Sequence, residues 1–379
     1  MQLQELHINN FKNIAEADIV FSGKTNCFLG DNGMGKSNLL DAIYYLSFCK
    51  SFSGQTDAML IKKDMPYMML KGGYVRNGEH EELQFGFQTG HRKKFRRGGK
   101  EYKKLSEHIG LFPLVMVAPA DTDLIWGPSE NRRKFIDRII SQTDSRYLDC
   151  LIRYNALLES RNRLLRDMAK QGAVKPDVLL ETIDAQMDGI ARYIADARMG
   201  WFGTFSGIFR RYYMAIAGEN AESVTLSYRT TLGPQEPSLS VQLSERISRD
   251  LILGYTSAGI HRDDFEMEID SMPLRKAASQ GQCKTFVIAM RLAQYEFLAQ
   301  ATGLKPILLL DDIFDKLDAG RVDRIIHTVS GPAFGQIFIT DTNRENLDTI
   351  MLARAKRDEA DATTDCRLWI VESGTFRQI

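Results

Sequence analysis

Residues 30–37 read Gly-Asp-Asn-Gly-Met-Gly-Lys-Ser, and no other stretch of this 379-residue chain narrows its fold so far. Glycine at 30, 33 and 35 lets a tight loop turn successive backbone N–H groups toward one point, since no Cβ obstructs the path. The run at residues 25–29 before the loop suits a short strand, and Asn38-Leu39-Leu40-Asp41-Ala42-Ile43-Tyr44-Tyr45-Leu46 after it has helical spacing. Strand, glycine loop and helix in this order form a phosphate cradle, and the helix N-terminus adds partial positive charge. The candidate nucleotide-binding residues are Gly30, Asp31, Asn32, Gly33, Met34, Gly35, Lys36, Ser37 and Asn38. Lys36 is placed to reach the β- and γ-phosphates of ATP, and the Ser37 hydroxyl to ligate Mg²⁺.

Bulk properties set outer bounds. Lys plus Arg equals Asp plus Glu at 49 each, so any contact with nucleic acid must come from local charge and not from a global field. The five cysteines (Cys27, Cys49, Cys150, Cys283, Cys366) are scattered and form no Cys-x-x-Cys pair, which argues against disulfides or zinc. A reducing cytoplasm is the expected compartment. Met1-Gln2-Leu3-Gln4-Glu5-Leu6 is not a signal peptide and no apolar run approaches bilayer length, so a soluble protein without a membrane partner is expected. The length implies two or three compact units.

Along the chain, strand alternation at residues 3–8 and 17–21 leads into the phosphate loop, and the stretch to about residue 70 reads as half of an α/β ATPase core. Residues 68–117, broken by Gly72-Gly73, Gly78, Gly90 and Gly98-Gly99, read as a small antiparallel sheet. Residues 132–216 carry apolar residues at helical intervals, with Gly172 and Pro176 marking a reversal, and read as an antiparallel helical arm packed on a neighbouring sheet. Residues 224–232 and 251–256 read as strands, and residues 280–298 as a helix. The core resumes in Pro306-Ile307-Leu308-Leu309-Leu310 and in Gly335-Gln336-Ile337-Phe338-Ile339-Thr340, two buried strands. The expected parts are residues 1–125 (phosphate loop and β subdomain), 126–258 (helical second lobe) and 259–379 (the rest of the core).

Two further motifs fit a split ATPase. A buried strand ending in Asp311-Asp312 can hold Mg²⁺ through Asp311 while Asp312 orients or deprotonates attacking water, which makes Lys36 and Asp312 the candidate catalytic pair. Ser279-Gln280-Gly281-Gln282 opens a helix with a hydroxyl, a glycine N–H and a helix N-terminus, a second anion site that lacks a lysine.

Phosphate loop, Ser-Gln-Gly-Gln turn, double-acid strand and the Asp315-Lys316-Leu317-Asp318 loop, in this order, resemble the ABC-type ATPase head of the SMC/Rad50 branch. More narrowly, Asn9-Asn10-Phe11-Lys12-Asn13, the long run through Gly33 to Leu46, Ser51-Phe52, Gly127-Pro128, Arg132-Arg133-Lys134-Phe135-Ile136-Asp137 and Gly259-Ile260-His261-Arg262-Asp263-Asp264 resemble the RecF family of recombination-mediator ATPases. The resemblance implies an α/β fold, a P-loop NTPase core with an antiparallel β subdomain plus a mainly helical second lobe. It also implies an ATP-dependent homodimer in which Ser279, Gln280, Gly281 and Gln282 of one copy meet the γ-phosphate held by the other, with slow hydrolysis as a release timer. The implied partners are double-stranded and gapped DNA, RecR with RecO, and indirectly RecA, in recombinational repair, replication restart and SOS induction. Departures from the family pattern are Asp41 in place of Glu, Cys283 in place of a polar amide residue, Ile260 in place of Pro, and Thr340-Asp341-Thr342 where transporter heads carry a switch histidine.

Local charge offers DNA candidates: Arg92, Lys93, Lys94, Arg96, Arg97 and Lys100 in one run, and Arg132 and Arg133 further on. Each has a second reading. The run is either a phosphate-binding hairpin tip or a solvated loop, while Arg132, Arg133 and Lys134 either touch DNA or pair with carboxylates of their own lobe. Lys12 either reaches the nucleotide or is a surface lysine, and residues 261–264 read as a salt-bridge corner in preference to a metal site. Competing classes are an SMC-like structural head, for which the chain has no room for long heptad arms, and the energising subunit of a transporter, which would need a glutamine loop and a switch histidine. ATP binding without hydrolysis is the third.

Overall fold

The computed structural model describes residues 1–171, 178–218, 221–315, 317–355 and 366–379. The reversal assigned to Gly172 and Pro176 lies outside the described residues, as does Lys316. In chain order the strands are β1 (Gln2–Phe11), β2 (Ile14–Val20), β3 (Thr25–Leu29), β4 (Tyr67–Arg76), β5 (Glu79–Gln88), β6 (Lys94–Arg97), β7 (Lys100–Glu101) and β8 (Leu114–Val117). They continue as β9 (Val224–Arg229), β10 (Asp264–Ile269), β11 (Met272–Pro273), β12 (Ile307–Asp311), β13 (Ile337–Asp341), β14 (Cys366–Glu372) and β15 (Thr375–Gln378).

The chain divides into two compact units. The first joins Met1–Asp121, Arg211–Ala221 and Ser279–Ile379. Its central sheet runs β15-β14-β3-β13-β12-β8, parallel except for the β14–β15 hairpin. The inner strands β12 and β13 are buried along their whole length, as near-continuous Ile, Leu and Phe runs require of strands covered on both faces. Leu310 of β12 lies opposite Ile339, and Thr340 of β13 opposite Phe28, so the two halves of the ATPase core interleave strand by strand.

A second sheet of this unit, β2-β1-β4-β5-β6-β7, is antiparallel throughout. Its inner face packs on the helix Lys36–Phe48 that follows the phosphate loop; Gly72 of β4 has no Cβ because one would stand 2.8 Å from Leu46 Cδ1. Two expectations change here. Residues 3–8 and 17–21 belong to this antiparallel sheet and not to the parallel core, while β8, expected in the antiparallel sheet, is the edge strand beside β12. The all-apolar Leu114-Val115-Met116-Val117 lacks the alternation a half-exposed strand needs, and all four residues are buried.

The second unit comprises Thr122–Arg210 and Glu222–Ala278. The helix Ser145–Lys170 and the part up to Arg210 of the 40-residue helix Val178–Ala217 run antiparallel through contacts between Asp144 and Tyr193, Arg153 and Gln186, and Arg161 and Asp184. Beside them lies the small sheet β11-β10-β9, where Phe202 packs on Phe265 and Tyr228. Residues 259–278, expected with the core, cluster in this unit because β10 pairs with β9 along six residues, from Asp264↔Arg229 to Ile269↔Val224.

The strand expected at residues 251–256 is a helix, Ile247–Leu253, closed by Gly254 in the left-handed region at φ 68°. Its apolar triplet splits by helical period: Leu251 packs beside Leu165, Met168 and Leu180, while Ile252 is 87% exposed. Two buried arginines knit this unit. Arg198 meets Asp137 at 2.8 Å and Asp263 at 2.9 Å, and Arg161 meets Asp184 at 2.6 Å and Asp250 at 2.8 Å. Removing one partner from such a pair strands a buried charge, at a cost of about 3–5 kcal/mol.

Candidate functional site

The phosphate loop leaves β3 and ends at Gly35, whose φ of 112° begins the helix Lys36–Phe48 without any side-chain cap. The first N–H groups of that helix are therefore not answered by a capping side chain, as an anion cradle requires. A Cβ at 35 would also stand 2.9 Å from the Asn13 side chain, which in turn accepts from Asn38 Nδ2 at 2.8 Å. Gly30 serves differently from expectation. Its φ is not positive, but a Cβ there would lie 2.4 Å from the Val371 carbonyl of β14, so glycine permits the close approach of that strand. The turn after β14 completes the support, since Gly374 N–H donates to the Met34 carbonyl at 2.7 Å.

Lys36 is buried and curls over the loop, donating to the carbonyls of Gly30 at 2.6 Å and Asp31 at 3.1 Å. Asp31, Asn32 and Gly33 are exposed at the loop's tip. The Ser37 hydroxyl donates to Asp311 Oδ1 at 2.8 Å, although 274 residues separate the two. Thr340 Oγ1 donates to the same oxygen at 2.7 Å and also accepts from the Asp312 N–H at 3.1 Å. Burial raises the Asp311 carboxyl above the usual carboxylate range, against the lowering effect of Thr340 and Ser37. Asp312, at φ 48°, is also raised by burial, with Lys36 opposing and Asp311 adding to the rise. A cleft of about 770 Å³ opens beside these groups, lined among others by Asn32, Asp312, Asp315, Lys284 and Asp341.

These groups fit ATP and Mg²⁺. A hydroxyl and a carboxylate on one hydrogen bond are hard oxygen donors of the kind Mg²⁺ takes, and a cation there would offset the buried charge of Asp311. Thr340 was not among the expected site residues, and neither was Asn13. Thr340 stands on β13 at the register position opposite Asp311, a relation visible only once the strands pair.

Lys12 is spent elsewhere. Its ammonium lies 2.6 Å from Asp41, a carboxylate that also accepts from Ser51 Oγ at 2.6 Å and from the Phe52 N–H at 2.7 Å. Lys12, expected as a nucleotide contact, is held in this chain by that ion pair, and the shorter Asp41 anchors the Ser51-Phe52 loop.

Ser279, Gln280, Gly281 and Gln282 belong to the same unit as the phosphate loop and form the first turn of the helix Gln280–Thr302. Ser279 Oγ accepts from Gln282 N–H at 3.2 Å and Gln282 Oε1 accepts from Ser279 N–H at 2.6 Å, a reciprocal capping box. Ser279 and Gln280 are exposed, and Cys283 turns into the core at 2% exposure.

The basic run divides. Lys93 meets Asp57 at 3.0 Å and the Cys49 carbonyl at 2.9 Å, and Arg97 holds Glu81, donating from Nη2 at 2.7 Å. Arg92, Lys94 and Lys100 are exposed and Arg96 is half-buried; with Tyr67, Arg92, Lys94 and Arg96 line a shallow groove over Gly86. Arg132 is buried, held by Asp264 at 2.6 Å and 2.8 Å and by the carbonyls of Leu124 and Gly127. Arg133 donates to Ser129 Oγ and the Asp263 carbonyl, and Lys134 to Glu130. Arg132 and Lys134 thus pair with carboxylates of their own lobe, as the second reading had it, whereas Arg133 meets only a hydroxyl and a backbone carbonyl.

Residues 261–264 are the salt-bridge corner expected of them. His261 bonds Tyr154 Oη at 2.9 Å and the Thr256 carbonyl at 3.0 Å, and Asp263 meets Arg198. Among the described residues no cluster of metal-ligating side chains occurs, and no helix is long and apolar enough to cross a membrane.

Comparison with known proteins gives the family and the fold. Residues 2–356 match the family model described as the RecF/RecN/SMC N terminal domain. The DNA replication and repair protein RecF of Parabacteroides distasonis is 49% identical over 353 residues, covering 93% of this chain and 94% of that protein. That of Porphyromonas gingivalis is 45% identical over 379 residues, covering both chains completely. Among solved structures, the recombination mediator protein RecF with ATP superposes at a TM-score of 0.87, with 29% identity, over 100% of this chain and 97% of that one. An interleaved ATPase core, an antiparallel β subdomain and relatives of this identity along the full chain lead to one assignment: the chain belongs to the RecF family, with the ABC-type ATPase head fold of the RecF/RecN/SMC group.

Proposed function

We propose that this chain is a DNA-binding ATPase of RecF type that dimerises around ATP on double-stranded DNA near single-stranded gaps and opens as the nucleotide is slowly hydrolysed. The observation that carries it is the hydrogen bond from Ser37 to Asp311, which brings a P-loop hydroxyl and a strand-end carboxylate to one point from opposite ends of the chain. Backbone N–H groups of residues 30–38 bind the phosphates, and Lys36 exchanges its carbonyl partners for the β- and γ-phosphate oxygens. Ser37 and Asp311 would hold Mg²⁺, which would neutralise part of the negative charge of the phosphates. Asp312, made more basic by burial, orients the attacking water and accepts its proton.

Ser279, Gln280, Gly281 and Gln282 reach the γ-phosphate held by a second copy, and the exposure of Ser279 and Gln280 in the single chain supports this. On DNA the contacts are Arg92, Lys94, Arg96 and Lys100, which read phosphate and not sequence. That similar proteins are DNA replication and repair proteins, and that the similar ATP-bound structure is of a recombination mediator in the RecFOR pathway, supports RecR with RecO, and indirectly RecA, as partners. Phosphate release measured with and without gapped duplex tests the reading. Stimulation by DNA that disappears in Lys36→Met supports it; no release above background under any condition would leave binding without hydrolysis.

A further inference from the structure

The Ser279–Gln282 turn closes its own capping box through the N–H groups of Ser279 and Gln282, leaves those of Gln280 and Gly281 outside it, and brings no cation among its own residues. Lys284, one turn further along, donates to the Asp315 carbonyl. A cation nevertheless stands on the turn. Arg321, in the first turn of the helix Ala319–Val329, places Nη1 2.8 Å from the point that a Cβ on Gly281 would occupy. With glycine at 281 the guanidinium lies against the turn where it stands, and a larger side chain there would displace it.

The arginine is fixed at its root by Asp318. Its backbone N–H donates to Asp318 Oδ1 at 2.9 Å, which caps the helix, and Nε lies 3.4 Å from Asp318 Oδ2. Among the described residues neither Nη nitrogen is given an acceptor by these contacts, and the side chain is 20% exposed. Asp318 is itself 59% exposed and so screened by water, which leaves most of the guanidinium's charge uncompensated. Five N–H donors in a rigid fork suit a phosphate better than a carbonyl, and charge on a transferring phosphoryl group rewards a cation that arrives from outside the P-loop.

We propose that Arg321 is a substrate-contacting residue supplied in trans: it donates from Nη1 and Nη2 to the γ-phosphate of the ATP bound by the other copy, beside Ser279 and Gly281. This rests on the composite-site reading given above. It makes the dimer's affinity and its turnover depend on a residue outside every motif that identifies the site.

Complementation between variants tests it, with sedimentation as a readout separate from turnover. Arg321→Ala should bind a fluorescent ATP analogue as the wild-type monomer does, yet associate in ATP at least about ten-fold more weakly and hydrolyse about 1,000-fold more slowly. Arg321→Lys should recover part of the association. An equimolar mixture of Lys36→Met and Arg321→Ala, each inactive alone, should regain hydrolysis well above either variant and at most half that of wild type, because each mixed dimer keeps one complete site of its two. Lys36→Met mixed with Ser279→Arg is the control. If the control mixture recovers and the Arg321→Ala mixture does not, or if Arg321→Ala alone associates and turns over as wild type, Arg321 is not the trans cation. If wild type fails to associate in ATP and the control stays inactive, the composite site itself is wrong and this assignment falls with it.

Discussion

Ser37 Oγ and Asp311 Oδ1 stand 2.8 Å apart at the meeting of the phosphate-loop helix with the end of β12. Around this contact Lys36 occupies the cradle with its own ammonium, bonded to the loop carbonyls of Gly30 and Asp31. Nucleotide must draw those two bonds away. Lys36→Met removes the only ammonium of the loop, and truncating one partner of a charged contact costs about 2–5 kcal/mol. ATP affinity measured by calorimetry should fall at least about 30-fold; an unchanged affinity would show that Lys36 does not face the triphosphate.

Asp312 is pushed above the usual carboxylate range by burial, with Asp311 beside it and Lys36 in opposition. Asp312→Asn keeps the shape and the backbone bond to Thr340 but cannot accept a proton. Turnover should drop about 100-fold or more while ATP binding stays intact. Wild-type turnover in this variant would assign water activation to another group.

Four cations of the β5–β6 region remain for DNA after the ion pairs of Lys93 and Arg97 are set aside. Replacing Arg92, Lys94, Arg96 and Lys100 together by Ala should lower the slope of log K against log salt by roughly 3.6, since each phosphate contact contributes about 0.9. Arg97→Ala should act differently, lowering thermal stability through the loss of Glu81, whose carboxyl it holds below the usual range. A slope unmoved by the fourfold change removes this surface from the DNA path.

His108 is fully buried, bonded to the Leu46 carbonyl at 2.7 Å and Tyr102 Oη at 3.0 Å, and burial lowers its pKa to about 4. The unfolded chain takes up a proton near pH 6.5 and the folded one only near 4, so stability falls as pH drops through that window. At pH 5 the loss from this ring is about 2 kcal/mol. Thermal melts at pH 7.5 and 5 should show a smaller difference for His108→Gln than for wild type. Equal differences would mean that the ring is protonated without penalty.

Much of this site was legible because it is local: glycine spacing, helix period and the two buried apolar strands each declare themselves within ten residues. What was not legible is pairing across distance. Lys12, Lys93 and Arg132 look like free cations in the sequence, and only tertiary packing sets them against Asp41, Asp57 and Asp264. Thr340 gains its place from the register of β13 on β12. The helix at 247–253 was mistaken for a strand because three consecutive apolar residues obscure the period, and Gly254, which ends it, is equally a turn signal between strands.

Sedimentation velocity of the full chain with ATP, with ADP and without nucleotide tests most directly whether two copies share one triphosphate. Wild type should move from monomer to dimer in ATP alone, Asp312→Asn should hold the dimer longer, and Ser279→Arg should bind ATP yet remain monomeric. A wild-type protein that stays monomeric with saturating ATP, or a Ser279→Arg variant that dimerises as readily as wild type, would contradict the account.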